Sequence, residues 1–159
     1  MVQLEAHRGV SRRFPESTMA AFRAAVREGY KMIELDPKVT KDGDIVIMHD
    51  MTINRTARRD GQAPAQSLPV SDLTLAELRA YEYGSWMSPD FADEPLVTLR
   101  EVLDFSQEAG IALKFDNVMQ KFPSSALDDF CQAVTDAGYD YLIMDADATR
   151  YGAVETRDE

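Results

Sequence analysis

Four residues could support acid–base and metal chemistry, judged from their types and spacing. Glu34 and Asp36 lie two residues apart, so on a β-strand both carboxylates point to one face. Their oxygen atoms suit a hard divalent cation such as Mg²⁺ or Ca²⁺ better than Zn²⁺. His7 and His49 are the only two histidines, and each follows an apolar, strand-like run. Two imidazoles beside acids form, in outline, a general acid–base pair.

A predicted turn brings one of the acids close to one of the imidazoles. Asp42-Gly43 is a strong two-residue turn signal between the apolar runs around Val39 and Val46. If the turn is centred between residues 42 and 43, Asp36 lies directly opposite His49. We therefore expect the acidic pair and this imidazole to converge.

Strands that alternate with amphipathic helices must position these residues. The apolar pattern predicts strands at 2–6, 32–36, 45–48, 111–116 and 141–144. Helices are predicted before the second, fourth and fifth strands, with Ser17 as the N-cap of the first and a glycine ending each one. This order favours an α/β fold in which helices cover a parallel sheet.

The candidate residues fall at or near the carboxyl ends of the predicted strands, where parallel α/β folds place their reactive side chains. The positions concerned are His7, Glu34, Asp36, His49 and Asp116. Arg8 adjoins the first histidine and provides a planar cation suited to a phosphate oxygen. The combined pattern indicates metal-assisted hydrolysis or transfer at a phosphate ester.

Length, charge and apolar content limit the class of protein and its partners. We take residues 1–159 as a single domain with a sizeable core. The net charge of −11 argues against nucleic acid or an anionic membrane as a partner, because both need a basic surface. No apolar run approaches the roughly 20 residues of a transmembrane helix. With one cysteine, Cys131, and no signal-peptide pattern, a cytoplasmic location is expected.

Residues 51–95 are rich in proline and glycine and are predicted to form an irregular insertion. A capping-box pattern at Thr74 and Glu77 predicts one short helix within it. Its aromatic residues are expected to pack the insertion onto the main body, and a substrate-facing aromatic wall is the alternative. These residues are Tyr81, Tyr83, Trp86 and Phe91.

Several short segments together resemble the glycerophosphodiester phosphodiesterase family. They are His7-Arg8-Gly9, Pro15-Glu16-Ser17-Thr18, Ile33-Glu34-Leu35-Asp36, Thr40-Lys41-Asp42-Gly43 and His49-Asp50. The segments Asn54-Arg55-Thr56 and 73–78 also fit the family's pattern after its His-Asp. The resemblance covers about residues 4–117 and extends weakly to 144. As an ordered set, these segments are specific.

The resemblance implies a TIM-type (β/α) barrel enzyme with a small inserted subdomain, here at 51–95. Such enzymes use a divalent cation, Mg²⁺ or Ca²⁺, to hydrolyse glycerophosphodiesters to an alcohol and glycerol 3-phosphate. Carried over to this chain, His7 and His49 would be the general acid and base, and Arg8 would contact the phosphate. The metal would be held by Glu34 and Asp36.

Two segments depart from the family pattern. Ser17 stands where the family usually has Asn. On its fourth strand the family carries Glu-x-Lys, and here Asp116 takes the place of the metal-binding glutamate and Val118 that of the lysine. A shifted register would match Lys114 to the lysine but would put Ala112 at the ligand position. The first register is preferred because it keeps an acid at the carboxyl end of the strand.

The chain is also short for the family. A full barrel takes about 250 residues, whereas this sequence provides about five of the eight strands, which predicts a partial barrel. Open sheet edges with exposed apolar faces are not expected of a soluble monomer. We therefore expect either a piece of a longer polypeptide or a homo-oligomer.

Alternatives to catalysis stay open at the level of sequence. A non-catalytic half-barrel of this family could self-associate or bind a partner, and a plain module could bind metal or phosphate without turnover. Phospholipase D-type toxins share the paired histidines and acids. Their usual disulfide-bearing loop is missing here, so that branch is disfavoured.

Overall fold

The computed structural model describes residues 4–116 and 122–138, together with the backbone of residues 141–144. Val118 and the first residues of the predicted 2–6 strand lie outside the described residues. The elements in chain order are β1 (Glu5–His7), α1 (Met19–Arg27), β2 (Met32–Leu35), β3 (Pro37–Val39), β4 (Ile45–Ile47), α2 (Leu75–Leu78), α3 (Leu99–Ala109), β5 (Ala112–Asp116), α4 (Ser124–Asp136) and β6 (Tyr141–Met144).

Four of these strands form one parallel sheet in the order β1-β2-β5-β6. The register places His7 opposite Glu34, and Glu34 opposite Lys114. Helices α1, α3 and α4 precede β2, β5 and β6, so each parallel connection passes through a helix. The predicted partial TIM-type (β/α) barrel is confirmed.

The strand predicted at 45–48 lies outside the parallel sheet. Strand β4 pairs antiparallel with β3 in a separate two-stranded sheet. Pro37 has no N–H to donate, so β2 cannot continue through it as a central strand. The described part of the chain therefore supplies four barrel strands, and the predicted count of about five included this hairpin strand.

The register of the hairpin also differs from the prediction by one residue. Pro37 pairs with Ile47, and the Met48 N–H donates to the Asp36 carbonyl at 2.8 Å. The turn is centred on residue 42, because Gly43 lies in the left-handed region with φ of 87° and lengthens the loop by one residue. Asp36 is therefore opposite Met48, and the predicted pairing with His49 was wrong.

Helix α1 begins one residue later than predicted. The hydroxyl of Thr18 is the N-cap acceptor and receives the Ala21 N–H, whereas Ser17 has a positive φ of 58° and its N–H donates to the Arg8 carbonyl. Ser17 therefore belongs to the turn that brings the chain from the Arg8 loop into the helix. Gly110 ends α3 in the left-handed conformation, as predicted.

The main core lies between one face of the sheet and the helices. Strand residues Ile33, Leu35 and Phe115 are fully buried there against Phe22 and Phe130 of the helices. The opposite face of the sheet carries polar side chains at alternate positions, as period-two side-chain alternation requires. Alternation thus separates an apolar helix-facing side from a polar side. No described helix is long and apolar enough to cross a membrane.

Residues 51–95 pack around a second, smaller hydrophobic cluster that includes Ile53, Leu78 and Tyr83. The predicted capping box is present at the start of α2, where Thr74 and Glu77 exchange hydrogen bonds. The aromatic side chains divide between two roles. Tyr83 is buried in the cluster, while the Phe91 ring lies 5.5 Å from that of Phe14 in the main body.

Candidate active site

Three carboxylates converge at the carboxyl ends of two neighbouring parallel strands. Glu34 is on β2, Asp36 directly follows it, and Asp116 ends β5. One oxygen from each lies within 4.8 Å of the others. Glu34 and Asp36 are buried, and Asp116 is half-buried. Three acids this close repel one another unless a cation or protons neutralise them.

The electrostatics of Glu34 show this repulsion. Burial, together with the charges of Asp36 and Asp116, raises the pKa of its carboxyl to about 7. The Glu34 Oε2 atom is buried and accepts no hydrogen bond from any described residue. An all-oxygen donor set with a buried acceptor atom left open fits a hard divalent cation.

His7 stands beside this acid cluster on the next strand. Its Nε2 lies 3.6 Å from Glu34 Oε2, and 63% of its side chain is exposed. The parallel register of β1 and β2 explains the contact, because it pairs these two residues directly. One predicted acid–base residue is therefore next to one predicted metal ligand.

Arg8 lies on the turn after β1. Its backbone has a positive φ of 55°, and its N–H donates to the Glu34 carbonyl at 2.8 Å. Its Nη1 donates to Glu16 Oε2 at 3.0 Å. Its Nε is buried and meets no acceptor among the described residues. The next residue must be glycine, because a Cβ on Gly9 would lie 2.6 Å from the Cβ of Ala21.

His49 forms a hydrogen bond with its neighbour in sequence. His49 Nδ1 lies 2.8 Å from Asp50 Oδ1. Hydrogen bonds from Arg55 and from His49 lower the pKa of Asp50 to about 2, so the carboxylate is ionised at neutral pH and can only accept. The Nδ1 atom must therefore carry the proton. The lone pair of a neutral His49 is then on Nε2, the atom available for proton transfer.

Three residues of the site are not among the candidates that residue types and spacing predict. Glu16 and Arg55 carry charges that meet Arg8 and Asp50, and they appeared in the sequence only as parts of family-like segments. Their contacts join segments 39 residues apart, so local periodicity gave no signal for them.

Lys38 is the third missed residue. It is buried, and its Nζ donates to the Met48 carbonyl at 3.0 Å. Burial lowers the pKa of Lys38, while the nearby charges of Asp36 and Asp50 oppose that shift. A sequence signal existed, because Lys38 is two residues after Asp36 and period-two alternation predicts that they share a face.

Comparison with known proteins identifies the family. The model of the glycerophosphoryl diester phosphodiesterase family matches residues 7–141. The chain belongs to this family. Among its members, the glycerophosphodiester phosphodiesterase of Caldanaerobacter subterraneus is 41% identical over 99 residues, which cover 62% of this chain and 38% of that protein.

Solved structures of phosphodiesterases share the fold. The glycerophosphodiester phosphodiesterase from Agrobacterium tumefaciens superposes with a TM-score of 0.77 at 23% identity, covering 94% of this chain and 61% of that one. A phosphodiesterase from Oleispira antarctica, solved with the product sn-glycerol-3-phosphate, gives a TM-score of 0.69 at 28% identity, covering 86% and 51%. The chain thus spans less than two thirds of each of these proteins.

Proposed function

We propose that this chain carries the catalytic residues of a metal-dependent phosphodiesterase that hydrolyses glycerophosphodiesters to an alcohol and glycerol 3-phosphate. The observation that carries the proposal is the convergence of Glu34, Asp36 and Asp116 within 4.8 Å, with His7 beside them. Membership of the family supports the substrate class. The product bound to the Oleispira antarctica phosphodiesterase supports the same chemistry.

The three carboxylates would hold a divalent cation. A bound cation would supply positive charge for the phosphate oxygens in the transition state. Mg²⁺ and Ca²⁺ both suit these ligands, and a cation of this kind, Mg²⁺ or Ca²⁺, stays a prediction. The cytoplasmic location also stays a prediction. Asp116, rather than Ala112, serves as the third ligand in this proposal, because it is the acid that meets Glu34 and Asp36.

The two imidazoles would move the protons of hydrolysis. Water attacks phosphorus and loses a proton to one imidazole, and the bond from phosphorus to the alcohol oxygen breaks as the other imidazole protonates that oxygen. His49 is suited to either task through Nε2, because Asp50 holds the Nδ1 proton. His7 would transfer the other proton from its position beside Glu34.

Arg8 would bind the phosphate. Its guanidinium is mostly buried, and its Nε has no acceptor among the described residues. An unpaired buried donor of this kind costs free energy that an anionic ligand would recover. Glu16 accepts from one of its other nitrogens and so fixes the direction in which the guanidinium points.

A non-catalytic half-barrel is the second candidate function. It is favoured by the polar face of the sheet, where Glu5 and His7 are exposed and Lys114 is half-buried. Such a module would self-associate or bind a partner, with residues 51–95 as an inserted subdomain. Homo-oligomerisation and a longer polypeptide are both compatible with it.

Sedimentation velocity with and without Mg²⁺ or Ca²⁺, followed by a glycerophosphodiester turnover assay on each species, separates the two candidates. We expect metal-dependent release of glycerol 3-phosphate that His7→Ala and His49→Ala each reduce by about 100-fold or more. Gln66→Ala, an exposed change in the insertion at 51–95, should leave turnover unchanged. Full activity in both histidine variants would refute the catalytic assignment, and a folded but inert assembly would favour the half-barrel.

A further inference from the structure

Arg55 lies between two carboxylates that come from distant parts of the chain. Its Nε donates to Asp50 Oδ2 at 2.8 Å and its Nη2 to Asp50 Oδ1 at 3.1 Å. On the other side, Nη1 donates to Glu16 Oε1 at 2.6 Å and Nη2 to Glu16 Oε2 at 3.0 Å. These bonds occupy four of the five guanidinium N–H donors, so Arg55 has little capacity left for a substrate.

An aromatic ring also contacts the planar face of the Arg55 guanidinium. The Arg55 Cζ atom lies 5.5 Å from the centre of the Trp86 ring, within the range of a cation–π contact. Two bidentate carboxylate contacts and one aromatic face therefore define the position of Arg55. A flexible lysine ammonium could not reproduce this geometry.

The contacts continue from Arg55 to the proposed reactive groups. Asp50 Oδ1, which Arg55 holds, is also the atom 2.8 Å from His49 Nδ1. Glu16 Oε2, which Arg55 holds on the other side, also accepts from Arg8 Nη1 at 3.0 Å. Arg55 thus joins the turn that follows β1 to the segment that follows β4.

We propose that Arg55 is a positioning residue which, anchored by Glu16, fixes the Asp50 carboxylate so that His49 keeps its proton on Nδ1 and leaves Nε2 free for proton transfer. The consequence for turnover rests on the proposed function. The consequence for the imidazole does not, because the tautomer of His49 is a property of the folded chain with or without turnover.

Replacing Arg55 removes both bonds that orient Asp50. The Asp50 side chain is partly exposed, so its carboxylate can then rotate towards water. In Arg55→Gln we expect the neutral imidazole of His49 to shift from the Nδ1–H form towards the tautomer mixture of a free histidine. In the active assembly, kcat should fall by about 10- to 100-fold, the range typical of residues that orient a reactive ligand.

Nitrogen-15 NMR of the imidazole rings tests this directly. The chain has two histidines, so the signals of His49 are assigned by comparison with His7→Gln. Spectra recorded at about pH 8.5, above the ordinary histidine pKa, report the neutral tautomer. Arg79→Gln is the matched control, because Arg79 is also 43% exposed and also pairs with a carboxylate, that of Glu101, away from this site.

The expected result is an Nδ1–H tautomer in the wild-type chain and in Arg79→Gln, and a mixture in Arg55→Gln. An unchanged His49 tautomer in Arg55→Gln would overturn the proposal. If Arg55→Gln does not fold, Arg55→Lys replaces it, because lysine keeps the charge and loses the planar fork. The same tautomer shift of His49 is expected in Arg55→Lys, and an unchanged tautomer there would refute the proposal.

The two proposals fail in different ways. A tautomer shift in Arg55→Gln, found together with a wild-type chain that shows no metal-dependent turnover, would refute the phosphodiesterase function and retain the positioning role of Arg55. Turnover that survives Arg55→Gln together with an unchanged tautomer would refute the positioning role and retain the function.

Discussion

His7 and Glu34 are direct partners in neighbouring parallel strands, and His7 Nε2 lies 3.6 Å from Glu34 Oε2. The imidazole is largely exposed and the carboxylate is buried. A group suited to proton transfer therefore lies at the rim of a buried acidic cluster that is suited to a cation. The parallel register alone places the imidazole and the acidic cluster at the same end of the sheet.

We predict that Glu34→Gln weakens Mg²⁺ binding by roughly 100-fold, because the number of ligand charges sets the affinity of oxygen-donor sites. Glu34 provides one of the three carboxylates that converge within 4.8 Å. Isothermal titration calorimetry measures the effect. The control is Glu108→Gln, which removes the same charge from an exposed position on α3. Equal affinities in the two variants would remove Glu34 from the metal site.

The stability of the metal-free protein should fall as the pH rises from about 4.5 to about 7. The pKa of Glu34 is raised from 4.5 to about 7, so between these values the folded state holds a proton that the unfolded state has lost. Bound protons in the folded state mean that the free energy of unfolding decreases with pH in this window. The loss should be at most about 3 kcal/mol.

Urea denaturation in EDTA at several pH values measures this loss. Glu34→Gln carries a permanently neutral side chain and should flatten the dependence, while Glu108→Gln should keep it. A wild-type stability that rises across the same window would contradict the predicted state of Glu34.

We predict that Lys38→Gln tightens divalent cation binding severalfold and lowers turnover. The buried ammonium lies close enough to Asp36, Asp50 and Asp116 to interact with their charges. Its removal therefore makes the electrostatic potential at these acids more negative. Glutamine can still donate to the Met48 carbonyl, which accepts from Lys38 at 3.0 Å. Lys41→Gln, an exposed change three residues later, is the control. The same cation affinity in both variants would show that Lys38 does not act on the site.

Gly9→Ala should destabilise the protein by about 1–3 kcal/mol more than Gly29→Ala. Both glycines have φ near 80°, so both substitutions carry the cost of a left-handed alanine. At Gly9 the new Cβ would also lie 2.6 Å from the Cβ of Ala21, whereas nothing lies within 4 Å at Gly29. Chemical denaturation of the two variants gives the difference. Equal losses would mean that α1 can move away from the Arg8 turn without cost.

Much of the fold was predictable because it depends on local periodicity. The alternation around Ile33 and Leu35 and the capping residue Thr74 act within one strand or one turn, so the sequence alone indicates them. The errors occurred in loops, where one additional residue changes which residues pair across the hairpin. Gly43 lengthened the hairpin turn and moved Asp36 from His49 to Met48.

The sequence by itself determined which residue types are available and that they fall at strand ends, because both follow from composition and from periods of two and 3.6 residues. Only the tertiary structure decided that Arg55 lies between Asp50 and Glu16. Such contacts depend on how segments distant in sequence fold back on one another. No local pattern encodes that geometry, and here it fixes the orientation of the groups that would react.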